Sequence, residues 1–518
     1  MAGCGRDTSR SKISPAVLGA KRAIGSEPQT LDPQRAGDSF SYEVLRDLYE
    51  GLTEELASGE IGPGAAAEWV VSKDGSRYRF QIRSDARWSD GSPVSAEDFV
   101  RGLRRGVDPA THSPGAALLT VIRGASEIIA GTARPETLGV RALDLHALEI
   151  SLGAPAPYFP SILANAVAYP AHPDQQDRRD AAVRQLVSNG AYRLLKWTPG
   201  GGLSLQKNDQ YWDARHVAIA NVEYTPIADS STEFIRYRAN AIDMTSSVPA
   251  SEFERLAHEL PAELQSRPQL AVIYYVFNLN RGPFRAAPGL REALSLTLDR
   301  EKITAGILRT GQVPAYSFVP PGMPGYRRAE YGWRTEANAV RIARARSLYA
   351  AAGYSAAHPL RLRLLCPEDD SLRKVALAVS AIWKEALGVE ATPVYLEYRA
   401  FLAAREQRDQ WDVLSHGWNA DYPDPGNFLE IFKRGSPQND PPLNDPEFDR
   451  RMAVVAAEAD GARRLADLTQ AEQRLLDSYA IAPVYFPVSR RLVKPRIAGA
   501  ILAPMNHNYS KYLSIREQ

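Results

Sequence analysis

The chain has 518 residues, 44% of them apolar and 24% charged, with 37 prolines and 36 glycines. That length exceeds what one hydrophobic core supports, so two or three lobes are expected. A formal charge of +1 argues against a nucleic-acid surface, which needs a net basic face, and no run reaches the 18 or more apolar residues of a membrane-spanning helix.

In chain order, the first signal is Ala-Gly-Cys directly after Met1. It resembles the end of a bacterial lipoprotein signal whose apolar part is missing, which makes Cys4 the expected lipidation site and residues 1–24 a tether. Residues 57–68, ASGEIGPGAAAE, read as surface or linker. The GPGAAA within them is only superficially a dinucleotide fingerprint: no apolar strand precedes it, and Pro63 lacks an amide for a pyrophosphate. Residues 77–83, RYRFQIR, alternate strictly and predict a half-buried strand with Tyr78, Phe80 and Ile82 inward. A turn at Asp90-Gly91-Ser92-Pro93 follows, and Ser95 with Asp98 predicts a capped helix start.

Residues 171–182 are a second linker candidate, and the apolar run 271–277 is a strand candidate. Cys366 closes RLRLLC and reads as a free buried thiol at a strand end. Leu372, Val375, Ala376, Val379, Ile382, Trp383 and Leu387 share one helical stripe, with Gly388 placed as its C-cap. A strand is expected over residues 411–414 and a proline-rich loop over 433–447. Strand and helix signals alternate irregularly and without a repeat, which predicts α/β lobes with mixed sheets.

Nothing argues for an enzyme. The eight histidines include no i, i+4 pair, and there is no His-Glu-x-x-His, no phosphate loop and no Gly-x-Ser-x-Gly elbow. Two cysteines make neither a disulfide scaffold nor a metal cluster. No metal and no cofactor are expected.

One stretch asks for an explanation: SHGWNADYPDPGNF, residues 415–428. Asp424 suits a surface turn of the Asp-Pro-Gly kind. Asp421 does not, since it lies between Trp418 and Tyr422 just past a strand; a helix or turn cap is the plain alternative for it. Other segments point the same way. From Phe80 to Phe99 the chain carries Phe80, Ile82, Arg83, Trp88, Asp90, Gly91, Pro93, Ala96, Asp98 and Phe99 in a fixed spacing. With GVDPATHSP, SNGAYRL, RYRANAIDMT, YYVFNLNRGPF, REALSLTLDREKI and RLVKP, this resembles the periplasmic oligopeptide-binding proteins, family 5, cluster C, of the solute-binding subunits of ABC importers, from about residue 25 to the C-terminus.

The resemblance implies an α/β, three-lobe periplasmic binding protein of type II, a Venus flytrap with mixed sheets and two hinge segments. Lobe I would comprise residues 25–50, 173–272 and 487–518, lobe II the insertion 51–172, and lobe III residues 273–486. It implies that Gly417, Trp418, Asp421 and Tyr422 form the loop that meets a peptide's N-terminus, where a fixed carboxylate would offset the charge of an enclosed amine. Asn419 in that loop, and Tyr274 at the start of YYVFNLNRGPF, join the expected ligand contacts. Arg373 stands where relatives place a basic residue for the peptide's carboxylate; a solvated helix-start arginine is the equal alternative. Two positions depart from the family pattern. Gly115 replaces a tyrosine, and Ser415, followed by His416, replaces an arginine. Both losses would enlarge the site. The implied function is capture of oligopeptides and delivery to an ABC permease of two membrane subunits plus ATPases, by a monomer on the outer face of the membrane or in the periplasm. A muropeptide or other solute, or a sensory role, is the alternative.

Overall fold

The alternating segment forms the strand Arg77–Ile82, with Tyr78, Phe80 and Ile82 buried and Arg77, Arg79 and Gln81 exposed. In this computed structural model the described residues are 19–175, 186–280, 282–458 and 460–516; Cys4 lies outside them. The strand belongs to an antiparallel sheet ordered Ala66–Val71, Arg77–Ile82, Ala147–Ser151, Val140–Ala142. After it, Asp98 accepts from the Ser95 amide at 2.9 Å and from Trp88 Nε1 at 3.1 Å. One carboxylate thus starts the helix Ala96–Val107 and fixes a buried indole beside it.

A second four-stranded sheet runs Gly19–Ile24, Asn221–Pro226, Gly202–Lys207, Tyr192–Thr198, the first pair parallel. Residues 19–24 fall within the expected tether. They are instead integral to this sheet, because Ala20 and Ile24 bury fully or nearly so and the backbone pairs along its whole length. Residues 57–68 also depart from expectation. They are not a linker: Ile61–Pro63 pairs with Thr53–Glu55, and Ala66 opens the strand Ala66–Val71. Small residues here serve close approach; a Cβ on Gly64 would lie 2.7 Å from the Gly51 carbonyl oxygen, and Ala65 and Ala66 are buried.

The third sheet has six strands and is mixed. Its order is Val313–Pro314, Ile481–Phe486, Ala271–Phe277, Val413–Asn419, Arg361–Pro367, Glu390–Leu396, with the last two pairings parallel and the rest antiparallel. The expected stripe lies on the helix Asp370–Leu387, which buries Val375, Ala376, Val379, Trp383 and Leu387 and ends at Gly388 with φ 81°. Cys366 is free and fully buried, and burial pushes its thiol up to about 12. The loop expected at 433–447 runs as far as Asp445, which caps the helix Pro446–Ala457.

Two large cores result. One gathers side chains from Leu270 to Phe486; the other spans Ala20 to Tyr224 and is completed by Met244, Tyr422, Val493, Ile497 and Leu513 from much later in the chain. The C-terminal tail is tied to the start by Ser510, whose amide donates to Asp47 at 2.8 Å and whose hydroxyl accepts from Arg22 at 2.6 Å. Between the cores the chain crosses twice, side by side. Leu264–Pro268 pairs antiparallel with Val488–Leu492, and the ribbon continues into the six-stranded sheet as Ala271–Phe277 beside Ile481–Phe486. At the crossing the Gln269 amide donates to the Pro487 carbonyl at 2.9 Å.

Candidate functional site

The strand expected at residues 411–414 runs further, as Val413–Asn419, and pairs along its length with Ala271–Phe277. Glycine and histidine are weak strand formers, and pairing to the apolar central strand overrides that preference. Gly417 sits opposite Ile273, whose Cδ1 would be 2.9 Å from an added Cβ. Trp418 and Asn419 close the strand, and the chain then turns sharply through residues 420–425.

Asn427, which the sequence reading passed over, organises this turn. Its Oδ1 accepts from Trp418 Nε1 and from the Asp421 amide, both at 3.1 Å, and its Nδ2 donates to Asp421 Oδ2 at 3.3 Å. One buried amide thus fixes both the indole and the carboxylate. Asp421 is exposed to solvent, yet the protein around it desolvates the carboxyl enough to hold it above the ordinary range, with the Asn427 bond pulling the other way. No cation pairs with it among the described residues. Tyr42, on the helix Ser39–Leu48 of the other core, is near enough for the Asp421 charge to help burial raise its phenol.

Asp424 is not the surface residue expected. It accepts from the Gly426 amide at 2.7 Å, as a turn aspartate does, but it is buried and paired twice with Arg464, at 2.7 and 2.9 Å. Arg464 lies 5.2 Å from the ring centre of Tyr158, and Tyr158 stacks on Tyr422 at 4.7 Å with an interplanar angle of 8°. Tyr422, expected at the ligand, is therefore a buried bridge between the two cores. Tyr158 carries no local signal that its partner would be Tyr422.

The remaining expected contacts lie elsewhere. Ser415 is 2% exposed and its hydroxyl bonds the Cys366 thiol. His416 and Tyr274 share the opposite face, 5.5 Å apart, and Tyr274 packs edge-on against Phe318 within the core. His416 lies 3.4 Å from both Asp440 and Arg405. Burial first, then Arg405, lowers its pKa to about 4, so it is neutral at pH 7. Arg405, missed in the sequence, is the permanent cation here, and Asp440 beside it is pushed up to about 6 by burial. Arg373 stands apart at the start of the helix Asp370–Leu387, stacked over Tyr395 at 4.3 Å and 3.3 Å from Glu368. Gly115 is half-buried against the other core, where an added Cβ would come 3.0 Å from Val167 Cβ.

The family pattern described as "Bacterial extracellular solute-binding proteins, family 5 Middle" matches residues 60–440. The chain belongs to this family. Within family 5, the periplasmic oligopeptide-binding protein OppA of Escherichia coli K12 is 37% identical over 508 residues, covering 95% of this chain and 92% of the relative. Among solved family 5 structures, the murein tripeptide-binding protein MppA in its unliganded open form matches with a TM-score of 0.88 at 34% identity, covering 97% of this chain and 98% of its own. OppA of Haemophilus influenzae in complex with RPPGFSPFR matches with 0.78 at 32% identity, covering 96% and 99%. Identity and coverage differ little between the two, so the gap is one of shape. The present structure sits nearer the open form. The fold is that of a periplasmic binding protein of the α/β type.

Proposed function

We propose that the protein is an extracytoplasmic receptor that captures oligopeptides between its two cores and hands them to an ABC importer. Asp421 carries this reading. It is a carboxylate fixed by Asn427, reached by solvent, and without a cationic partner among the described residues. A peptide's α-amino group, with a pKa near about 8, is mostly cationic at neutral pH and would supply the missing charge. The peptide main chain can then add along strand edges while hydrated pockets accept varied side chains.

Two relatives support the ligand class: one is named for binding oligopeptides and another for binding a murein tripeptide. Neither departure from the family pattern opens room in this form, since Gly115 faces Val167 and Ser415 is buried. Ordinary peptides are thus the first ligands to try. The reading divides the chain into the three lobes set out above, with the ribbon at residues 268–271 and 486–488 as the hinge. It places a monomer on the periplasmic side, tethered through an acylated Cys4, with an ABC permease as partner and no catalysis of its own.

The test is calorimetry with Ala-Ala-Ala and its N-acetylated form. Asp421→Asn is expected to weaken the free peptide by about 2–4 kcal/mol and to leave the acetylated one unchanged. Equal affinity of wild type and variant for the free peptide would remove Asp421 from the site.

A further inference from the structure

On the outward face of the Ala66–Val71 sheet lies an open basin of about 520 Å³, lined by Arg77, Arg123, Arg141, Glu149, Ser151 and Gly139 among others. Glu149 is already satisfied: it accepts from Arg79 at 2.8 Å and from Arg141 at 2.6 and 3.0 Å. Asp74 at the rim is engaged by Ser72 and Ser76 of its own turn. Arg77, Arg123 and Arg141 line the basin, and a fourth arginine, Arg79, reaches its Glu149 from the same sheet face; these four stand against two carboxylates, and the side chains of Arg77 and Arg123 have no hydrogen-bond or ionic partner among the described residues.

The backbone brings these two together. Arg77 is the register partner of Ser151. The Arg123 amide donates to the Ser151 carbonyl at 3.0 Å, and the Ser151 amide donates to Gly139 at 2.7 Å. Adjacent strands lie about 5 Å apart, so Arg77 and Arg123 flank Ser151 within reach of one small anion. Gly139 keeps the floor clear: a Cβ there would lie 3.2 Å from Arg123 Cβ and 2.8 Å from the Ser151 carbonyl oxygen.

We propose that this basin binds the phosphate of a phosphomonoester, with Arg77 and Arg123 as its charged ligands and the Ser151 hydroxyl as a third donor. The excess of two positive charges matches a phosphomonoester dianion, and three terminal oxygens match three separated donors; a carboxylate would leave one guanidinium uncompensated. The volume leaves space for a glycerol or sugar beyond the phosphate. The basin lies on the sheet face opposite the buried side chains of Tyr78, Phe80 and Leu148, so it is separate from the Asp421 site.

Two probes distinguish the sources of such a group: glycerol 3-phosphate, followed by calorimetry, and phosphatidylcholine vesicles carrying a minority of phosphatidic acid, followed by co-flotation. Binding of the soluble probe by the full chain assigns a free phosphomonoester; binding to the vesicles alone assigns a lipid headgroup. In either case the R77Q/R123Q double variant is expected to lose at least ~10-fold in affinity with an unchanged thermal midpoint. Ser151→Asp, which places a negative charge between the arginines, is expected to do the same. Failure of the wild type to bind either probe at millimolar concentration, or a double variant that binds as the wild type does, overturns the proposal.

Discussion

Asn427 spends both acceptor positions and one of its two donors on the candidate site: both the Trp418 indole and the Asp421 amide donate to its oxygen, and its nitrogen holds the Asp421 carboxylate. Replacing it with alanine leaves those groups without their fixed geometry, so Asn427→Ala is expected to weaken Ala-Ala-Ala by about 1–2 kcal/mol and to shift Trp418 emission. Unchanged affinity in calorimetry would mean that the turn holds Asp421 by backbone alone. His416 makes a prediction in acid. Its folded pKa of about 4 lies below the usual 6.5, so the unfolded chain takes up the proton first and acid favours unfolding. The stability it contributes is present above about pH 6.5 and lost as the pH falls through about 4. Urea melts of His416→Phe should lose less stability between those limits than the wild type, and an imidazole titration midpoint near 6.5 would refute the assignment. At this scale the sequence was legible where residues act within one short loop: Asp421 and Trp418 stand together in GWNADY. Asn427 stands in the same quoted stretch but needs the turn geometry to be noticed. Tyr158 was not legible, because its partners Tyr422 and Arg464 are distant in the chain and met only through the fold.

Elements with a clean period read well. Arg77–Ile82 alternates in burial as in polarity, and the helix Asp370–Leu387 buries five of the seven stripe residues fully. Elements made of small residues did not. In residues 57–68 glycine and alanine suggested loose chain, whereas they permit two strands and a bend to pack within contact of each other. Gly64→Ala tests this: backbone, not a flexible side chain, lies 2.7 Å from the new methyl group. A loss of about 1–3 kcal/mol is expected in urea denaturation, and a neutral result would show that the strand pair has slack. Likewise Val413–Asn419 was recognised only at its apolar beginning, since pairing to Ala271–Phe277 supplies what its own residues lack.

Two large cores are joined by a two-stranded ribbon and touch again at the Tyr158–Tyr422 stack, in a shape nearer an unliganded open relative than a peptide complex. A ligand that touches both sides shifts the population toward closure. Small-angle scattering should therefore show the radius of gyration fall on adding Ala-Ala-Ala, and not fall for Asp421→Asn at the same concentration. No fall in the wild type at saturation would argue against hinge closure. That the chain exceeds one core was foreseeable from length alone, but the pairing of the two crossings was not, because each is unremarkable until the other lies beside it.

The way the last residues complete the first core sets an order on biosynthesis. Val493, Ile497, Leu513 and the Ser510 contacts with Asp47 and Arg22 reach the ribosome's exit only after the whole of the other core has been made. At roughly 5–20 residues per second, the early strands wait on the order of ten seconds or more without their closing partners. During that interval the amino-terminal core lacks the contacts that these last residues supply.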